Sequence, residues 1–217
     1  MKKNQQPQDT QKNWENLLQK AEKHLRESDV YLAEMIQKIG PCTLTPEPDA
    51  FRMLVRTVIS QQISTGAARS IFERLLKRCG KKKLTAQLIE SIEENDLREM
   101  GLSRPKIKYL RGICTMVLSD STYLKTLHLL SDQDIADRLL KLKGIGPWSV
   151  EMFLIFGLGR LNILPIGDLG LRTAIHRIYE TEDLPNPEEI FVLAQKWEPY
   201  RTVATWYLWR SLEFYKK

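Results

Sequence analysis

The run Leu139-Leu140-Lys141-Leu142-Lys143-Gly144-Ile145-Gly146-Pro147-Trp148-Ser149-Val150-Glu151-Met152 holds residues whose types and spacing could do chemistry. Two glycines bracket one aliphatic residue between two helical patterns. They let the backbone turn tightly and leave the N–H groups at the start of the second helix uncovered, where the helix dipole makes them a site for an anion such as phosphate. Ile145 is expected to plug the core while Gly144 and Gly146 turn their backbone outward. Lys143 adds positive charge, and Ser149 lies in the same segment. A plain αα-hairpin can also carry Gly-x-Gly, so the flanking leucines and helix signals supply the specificity. Asp168 follows 24 residues beyond Gly144, in Leu164-Pro165-Ile166-Gly167-Asp168-Leu169-Gly170-Leu171-Arg172. An aspartate ahead of a helical pattern reads first as an N-cap.

Other chemistries find little support. Cys42, Cys79 and Cys114 are too far apart for a zinc or iron–sulfur site and read as free, reduced thiols. His24, His128 and His176 are equally scattered, which argues against metal-dependent hydrolysis. The 33 Lys and Arg against 27 Asp and Glu leave a net charge of +6, a modest pointer to an anionic partner. No window approaches the roughly 20 apolar residues of a membrane span, and the first residues lack a signal-peptide apolar region. The expected address is cytoplasmic: the nucleoid of a bacterium, or the nucleus of a eukaryote.

The elements that must position these residues are helices. At 217 residues, 42% hydrophobic and 28% charged, the chain can build a sizeable core. Apolar residues recur at three and four spacing almost throughout, so the fold class is all-α, with roughly ten helices. Phe51, Leu54, Val55, Val58 and Ile59 make one stripe; Ser64 caps the next helix, which ends at Gly80. Ser103 caps another running to Leu118, with Pro105 in its first turn. Ser131 with Asp134 forms a capping-box variant opening a helix to about Lys141. Further helices are expected after Thr85, at Asn95 to Met100, from Asp168, from Pro187, and from Glu198 to Phe214. The polar residues 1–12 read as a frayed tail.

Taken together, the hairpin, the loop and Asp168 resemble the helix-hairpin-helix DNA glycosylases, and specifically their 3-methyladenine (alkylpurine) branch. Val58-Ile59-Ser60-Gln61-Gln62-Ile63-Ser64, Gly101-Leu102-Ser103 with Lys106, and Trp197 to Arg210 agree with that branch. The resemblance covers most of residues 45 to 215. It implies two helical subdomains, one from 13–64 with 166–217 and a central one from 65–165 carrying the helix-hairpin-helix at about 134–158, with the active site in the cleft between them. It implies that Asp168 is catalytic, although relatives often carry two adjacent acids where this chain has Gly167 and Asp168. Trp148, Trp209, Met152 and Tyr207, with Tyr200 as an alternative, are the implied walls of a base pocket; Met152 stands where some relatives have tyrosine. Lys143, Gly144, Ile145, Gly146, Ser149, Gln61, Gln62, Ser64 and Lys106 are the implied DNA contacts, with Gln62 as the wedge that fills the space of a flipped base. The backbone carbonyls of Leu140, Leu142 and Ile145 could hold a monovalent cation, and no other cofactor is implied.

The implied reaction suits this inventory. Breaking a purine N-glycosidic bond develops oxocarbenium-like charge that one fixed carboxylate can stabilise, as in glycoside hydrolysis. An alkylated purine is already cationic and leaves without a strong general acid. Trp148 stands where bifunctional relatives carry the Schiff-base lysine, so a monofunctional enzyme acting as a monomer on duplex DNA is expected. A non-catalytic DNA-binding module and a glycosylase for oxidised or mismatched bases remain as rivals. Trp14, Trp197 and Trp206 are expected in the core. The basic runs Lys77 to Lys83 and Arg104, Lys106, Lys108, Arg111 read as solvated faces or phosphate contacts.

Overall fold

A computed structural model describes residues 7–80 and 84–215. Twelve α-helices and three short 3-10 helices make up the regular structure of these residues, with no strand among them. Among the described residues no helix is long and apolar enough to cross a membrane, and no cluster of His, Cys, Asp or Glu is placed to hold a metal ion. The three cysteines are free and buried. Burial pushes the Cys42 and Cys114 thiols up to about 12.

The chain forms two compact units, one from Met1–Thr45 with Arg160–Lys217 and a central one from Pro46–Gly159. The central unit contains α3 (Ala50–Ser60), α4 (Thr65–Arg78), α5 (Ala86–Glu90), α6 (Glu94–Glu99), α7 (Arg104–Ser119), α8 (Asp132–Leu139) and α9 (Pro147–Phe156). The other contains α1 (Pro7–Ser28), α2 (Val30–Ile39), α10 (Leu169–Tyr179), α11 (Pro187–Leu193) and α12 (Arg201–Ser211).

Two expectations from the sequence are corrected here. Residues 46–64 belong to the central unit, because α3 packs against α4, α7 and α9 and buries Phe51, Leu54, Val55, Val58 and Ile59 in doing so, and residues 160–165 belong to the other unit, where Thr202 holds Arg160 and Ile163. The helical tail begins earlier than expected: α1 already includes residues 7–12, while residues 1–6 lie outside the described residues.

Local signals set most boundaries. Ser64 Oγ accepts the Ala67 N–H, Thr85 caps α5 through Leu88, and Ser131 Oγ accepts the Asp134 N–H at 3.1 Å. Asn186 and Glu189 form a full capping box on α11. Ser103 stands at the N-cap of α7 with no side-chain cap bond. Each unit is built round one helix that is buried on nearly every side. In the central unit it is α9, with Val150, Met152, Phe153, Leu154 and Ile155 buried; in the other it is α12, buried continuously from Arg201 to Leu208. Both helices carry residues singled out from the sequence.

Candidate active site and nucleic-acid interface

In the central unit, Gly144 takes φ +88°, a left-handed conformation that side chains disfavour, and it lies flat against Tyr109. A Cβ at Gly144 would collide with the Tyr109 ring. Ile145 is buried as expected, and its N–H closes the turn on the Leu142 carbonyl at 3.0 Å. Gly146 is the N-cap of α9, and no side chain caps that helix. Nothing lies within 4 Å of a Cβ built on Gly146, so its outer face is open. The first turn thus offers backbone donors and the positive end of a helix dipole beside exposed Lys143, a setting suited to phosphate. Trp148 is half-buried in that turn, while Met152, one turn on, is buried.

The loop after α3 brings Gln61, Gln62, Ile63 and Ser64 together. Gln62 adopts φ +55° and is exposed, and Ile63 is exposed beside it. Gln61 turns inward: Nε2 donates to the Gly144 carbonyl at 2.7 Å and to Ser149 Oγ at 2.9 Å. Lys106 Nζ donates to the Ile59 carbonyl at 2.7 Å, and partial burial lowers its pKa. Of the second basic group, Arg104 and Lys108 are exposed, but Arg111 donates to the Ile89 carbonyl and pairs with Glu90, so it supports α5. In the first group Arg78 pairs with Asp96, Lys77 is exposed, and Lys81 to Lys83 lie outside the described residues.

In the other unit, Asp168 caps α10, as its position predicts: Oδ1 accepts the Leu171 N–H at 2.7 Å. The same oxygen accepts the Trp209 indole N–H at 2.7 Å. Trp209 therefore fixes the carboxylate as well as presenting a half-buried ring. Gly170 permits this approach, since a Cβ there would sit 3.0 Å from Asp168 Oδ1 and 3.3 Å from Trp209 Cδ1. The segment leading to Asp168 is pinned by α12 too, where buried Thr202 donates its hydroxyl to the Arg160 carbonyl and accepts the Ile163 N–H.

Tyr207 is not a pocket residue. It is fully buried on the opposite side of α12's sequence register from Trp209, with its single hydroxyl proton shared between Glu22 Oε1 and the Gly40 carbonyl, each 2.9 Å away. Burial raises its pKa, with Glu22 adding to the shift. Tyr200 places its ring edge against His24. Trp197 and Trp206 are core residues as expected, and Trp14 is half-buried with its indole N–H on the Leu44 carbonyl.

In outline this is an all-α protein with a glycine hairpin suited to an anion and, at a later helix cap, a carboxylate held by two N–H donors. The chain matches the family described as HhH-GPD superfamily base excision DNA repair protein over residues 55–199, and it belongs to that family. It is 32% identical over 203 residues to the alkylbase DNA glycosidase-like protein mag2 of Schizosaccharomyces pombe, covering 91% of this chain and 95% of mag2. DNA-3-methyladenine glycosylase 1 of the same yeast is 31% identical over 199 residues, covering 89% and 87%. Among solved structures, the S. pombe 3-methyladenine DNA glycosylase Mag1 in complex with abasic DNA superposes with a TM-score of 0.80 at 29% identity, covering 89% of this chain and 97% of that one.

Proposed function

We propose that this protein is a monofunctional DNA glycosylase, acting as a monomer, that hydrolyses the N-glycosidic bond of alkylated purines such as 3-methyladenine and 7-methylguanine in duplex DNA and so initiates base excision repair. The observation that carries the reading is the fixed Asp168 carboxylate, with one oxygen held by the Leu171 and Trp209 N–H groups. Family membership and relatives named for alkylbase and 3-methyladenine removal support it.

The hairpin takes the backbone through phosphate, leaving base identity to a pocket reached by flipping the nucleotide from the stack. As the C1′–N bond breaks, its electron pair goes to the cationic base, which leaves neutral. The sugar becomes oxocarbenium-like, and Asp168 stabilises that charge; water then adds to C1′ and loses a proton, leaving an abasic site. Trp148 offers an indole face to a cationic base, a contact worth about 0.5–2 kcal/mol that neutral purines do not gain. Having no amine, Trp148 cannot form the Schiff base that precedes strand cleavage. The carbonyls of Leu140, Leu142 and Ile145 would hold a monovalent cation: an all-oxygen donor set suits such an ion, and Leu142 keeps a second lone pair after accepting the Ile145 N–H. Bound there, the ion would add positive charge beside the phosphate site.

The test is release of free bases from methylated duplex DNA by wild type and Asp168→Asn, with strand nicking scored separately. Wild type is expected to free 3-methyladenine or 7-methylguanine and leave the strand uncut. Asp168→Asn keeps a capping oxygen but no charge, and is expected to lose about 100-fold or more in excision while still binding DNA. Binding by both proteins with release by neither would favour a non-catalytic module.

A further inference from the structure

Gln61 lies beside the exposed residue assigned to fill the flipped base's space, yet its own side chain is directed at the hairpin. The Gly144 carbonyl can only accept a hydrogen bond, so the amide nitrogen must face it. The second amide proton goes to Ser149 Oγ, and Ser149 is buried. Both donors of the amide are thereby spent inside the protein, one on each side of the α9 N-terminus. Two side chains of α7, three residues apart, reinforce the arrangement. Lys106 holds the end of α3 through the Ile59 carbonyl, and the Tyr109 ring is the floor beneath Gly144.

We infer that Gln61 is a positioning residue that locks the 61–64 loop to the glycine hairpin, so that gripping a phosphate and inserting Gln62 into the duplex are one event carried out by one rigid piece. The inference rests on the glycosylase reading for its functional consequence, and on the bonds of Gln61 alone for its structural one. A loop tethered only by its chain ends would sample many positions relative to the bound phosphate, and each insertion would carry the entropy of choosing one. With Gln61 in place, the spacing is set before DNA arrives. This assignment replaces the direct DNA contact that the sequence suggested for Gln61.

The experiment compares wild type, Gln61→Ala, Gln61→Glu, Gln62→Ala and the Gln61→Ala/Gln62→Ala double variant. Gln61→Glu keeps the shape but turns a carboxylate oxygen toward the Gly144 carbonyl, so it should behave like Gln61→Ala. Single-turnover excision from methylated duplex is expected to fall about tenfold or more in each Gln61 variant, with affinity for undamaged duplex held within about twofold. The double variant should excise no more slowly than Gln62→Ala, because the two residues act through one insertion. Amide hydrogen exchange across residues 144–149 should quicken about tenfold in Gln61→Ala, more than elsewhere in the central unit.

Wild-type excision by Gln61→Ala, additive losses in the double variant, or a loss of undamaged-duplex affinity in step with excision would each overturn the inference. Unchanged exchange at 144–149 would overturn it whatever the activity. Inactivity of the wild type would overturn the glycosylase reading alone, and the exchange measurement would still decide the lock.

Discussion

Asp168 draws its chemistry from neighbours that restrict it. One carboxylate oxygen receives two N–H donors, from Leu171 and Trp209, while Gly170 leaves room for the indole to come in. Trp209→Phe retains most of the ring and deletes the donor. Excision is expected to slow by about tenfold, with stability lowered by about 1 kcal/mol, read from single-turnover rates and denaturant melts. Gly170→Ala has opposed effects. Alanine favours a helix over glycine by about 0.8–1 kcal/mol, but its methyl would press on both Asp168 and Trp209. The expected outcome is near-wild-type stability with reduced excision, which would separate the placement of the carboxylate from the integrity of α10.

At the scale of elements, the two hairpin glycines serve different ends. Gly144 has φ +88° and a tyrosine ring against it, so Gly144→Ala should destabilise the protein by about 2–4 kcal/mol, visible in a denaturant melt. Gly146 has φ −108° and open space where a methyl would stand. Gly146→Ala should therefore melt within about 0.5 kcal/mol of wild type and yet bind duplex DNA about tenfold more weakly, because the methyl occupies the approach to the helix N-terminus. Anisotropy titrations at fixed salt measure this. Loss of stability in Gly146→Ala, or unchanged affinity, would count against the hairpin as the phosphate site.

At the scale of the molecule, the unit built from both ends of the chain is held by a buried carboxylate far from Asp168 in sequence. Asp29 caps α2 and accepts from the Tyr179 hydroxyl at 2.6 Å and the Trp197 indole at 2.8 Å, with Lys196 at 3.1 Å. Burial alone would raise its pKa, but donations from Trp197, Tyr179 and Lys196 outweigh it and hold the group below the ordinary carboxylate value. A depressed folded pKa contributes stability above the unfolded value of about 3.9 and loses it as pH falls through the folded value. Asp29→Asn is thus expected to cost about 2–3 kcal/mol at pH 7 and to flatten the fall of stability below about pH 4, measured by urea melts across pH.

Much of this protein was legible in its residues, because the features concerned are local. The apolar period announces helices, Ser64, Ser131 and Asp168 announce their starts, and Gly144 and Gly146 announce a backbone exposed to an anion. Free thiols and core placement for Trp197 and Trp206 also followed from spacing and composition. What only the tertiary structure decided lies between residues far apart in the chain. The sequence marked Trp209 as a pocket aromatic, but not that its indole N–H fixes a carboxylate 41 residues earlier. The family resemblance offered Tyr207 as a pocket wall too, and it is core, with its hydroxyl meeting Glu22 across 185 residues. Arg111 read as free positive charge until α5 used it. Gln61 and Gln62 are adjacent and identical in type, yet one is bonded to the hairpin and the other, at positive φ, is exposed. Periodicity and capping report which face of an element is apolar and where it begins; the partner a side chain meets is set by how helices pack, and no local pattern encodes that.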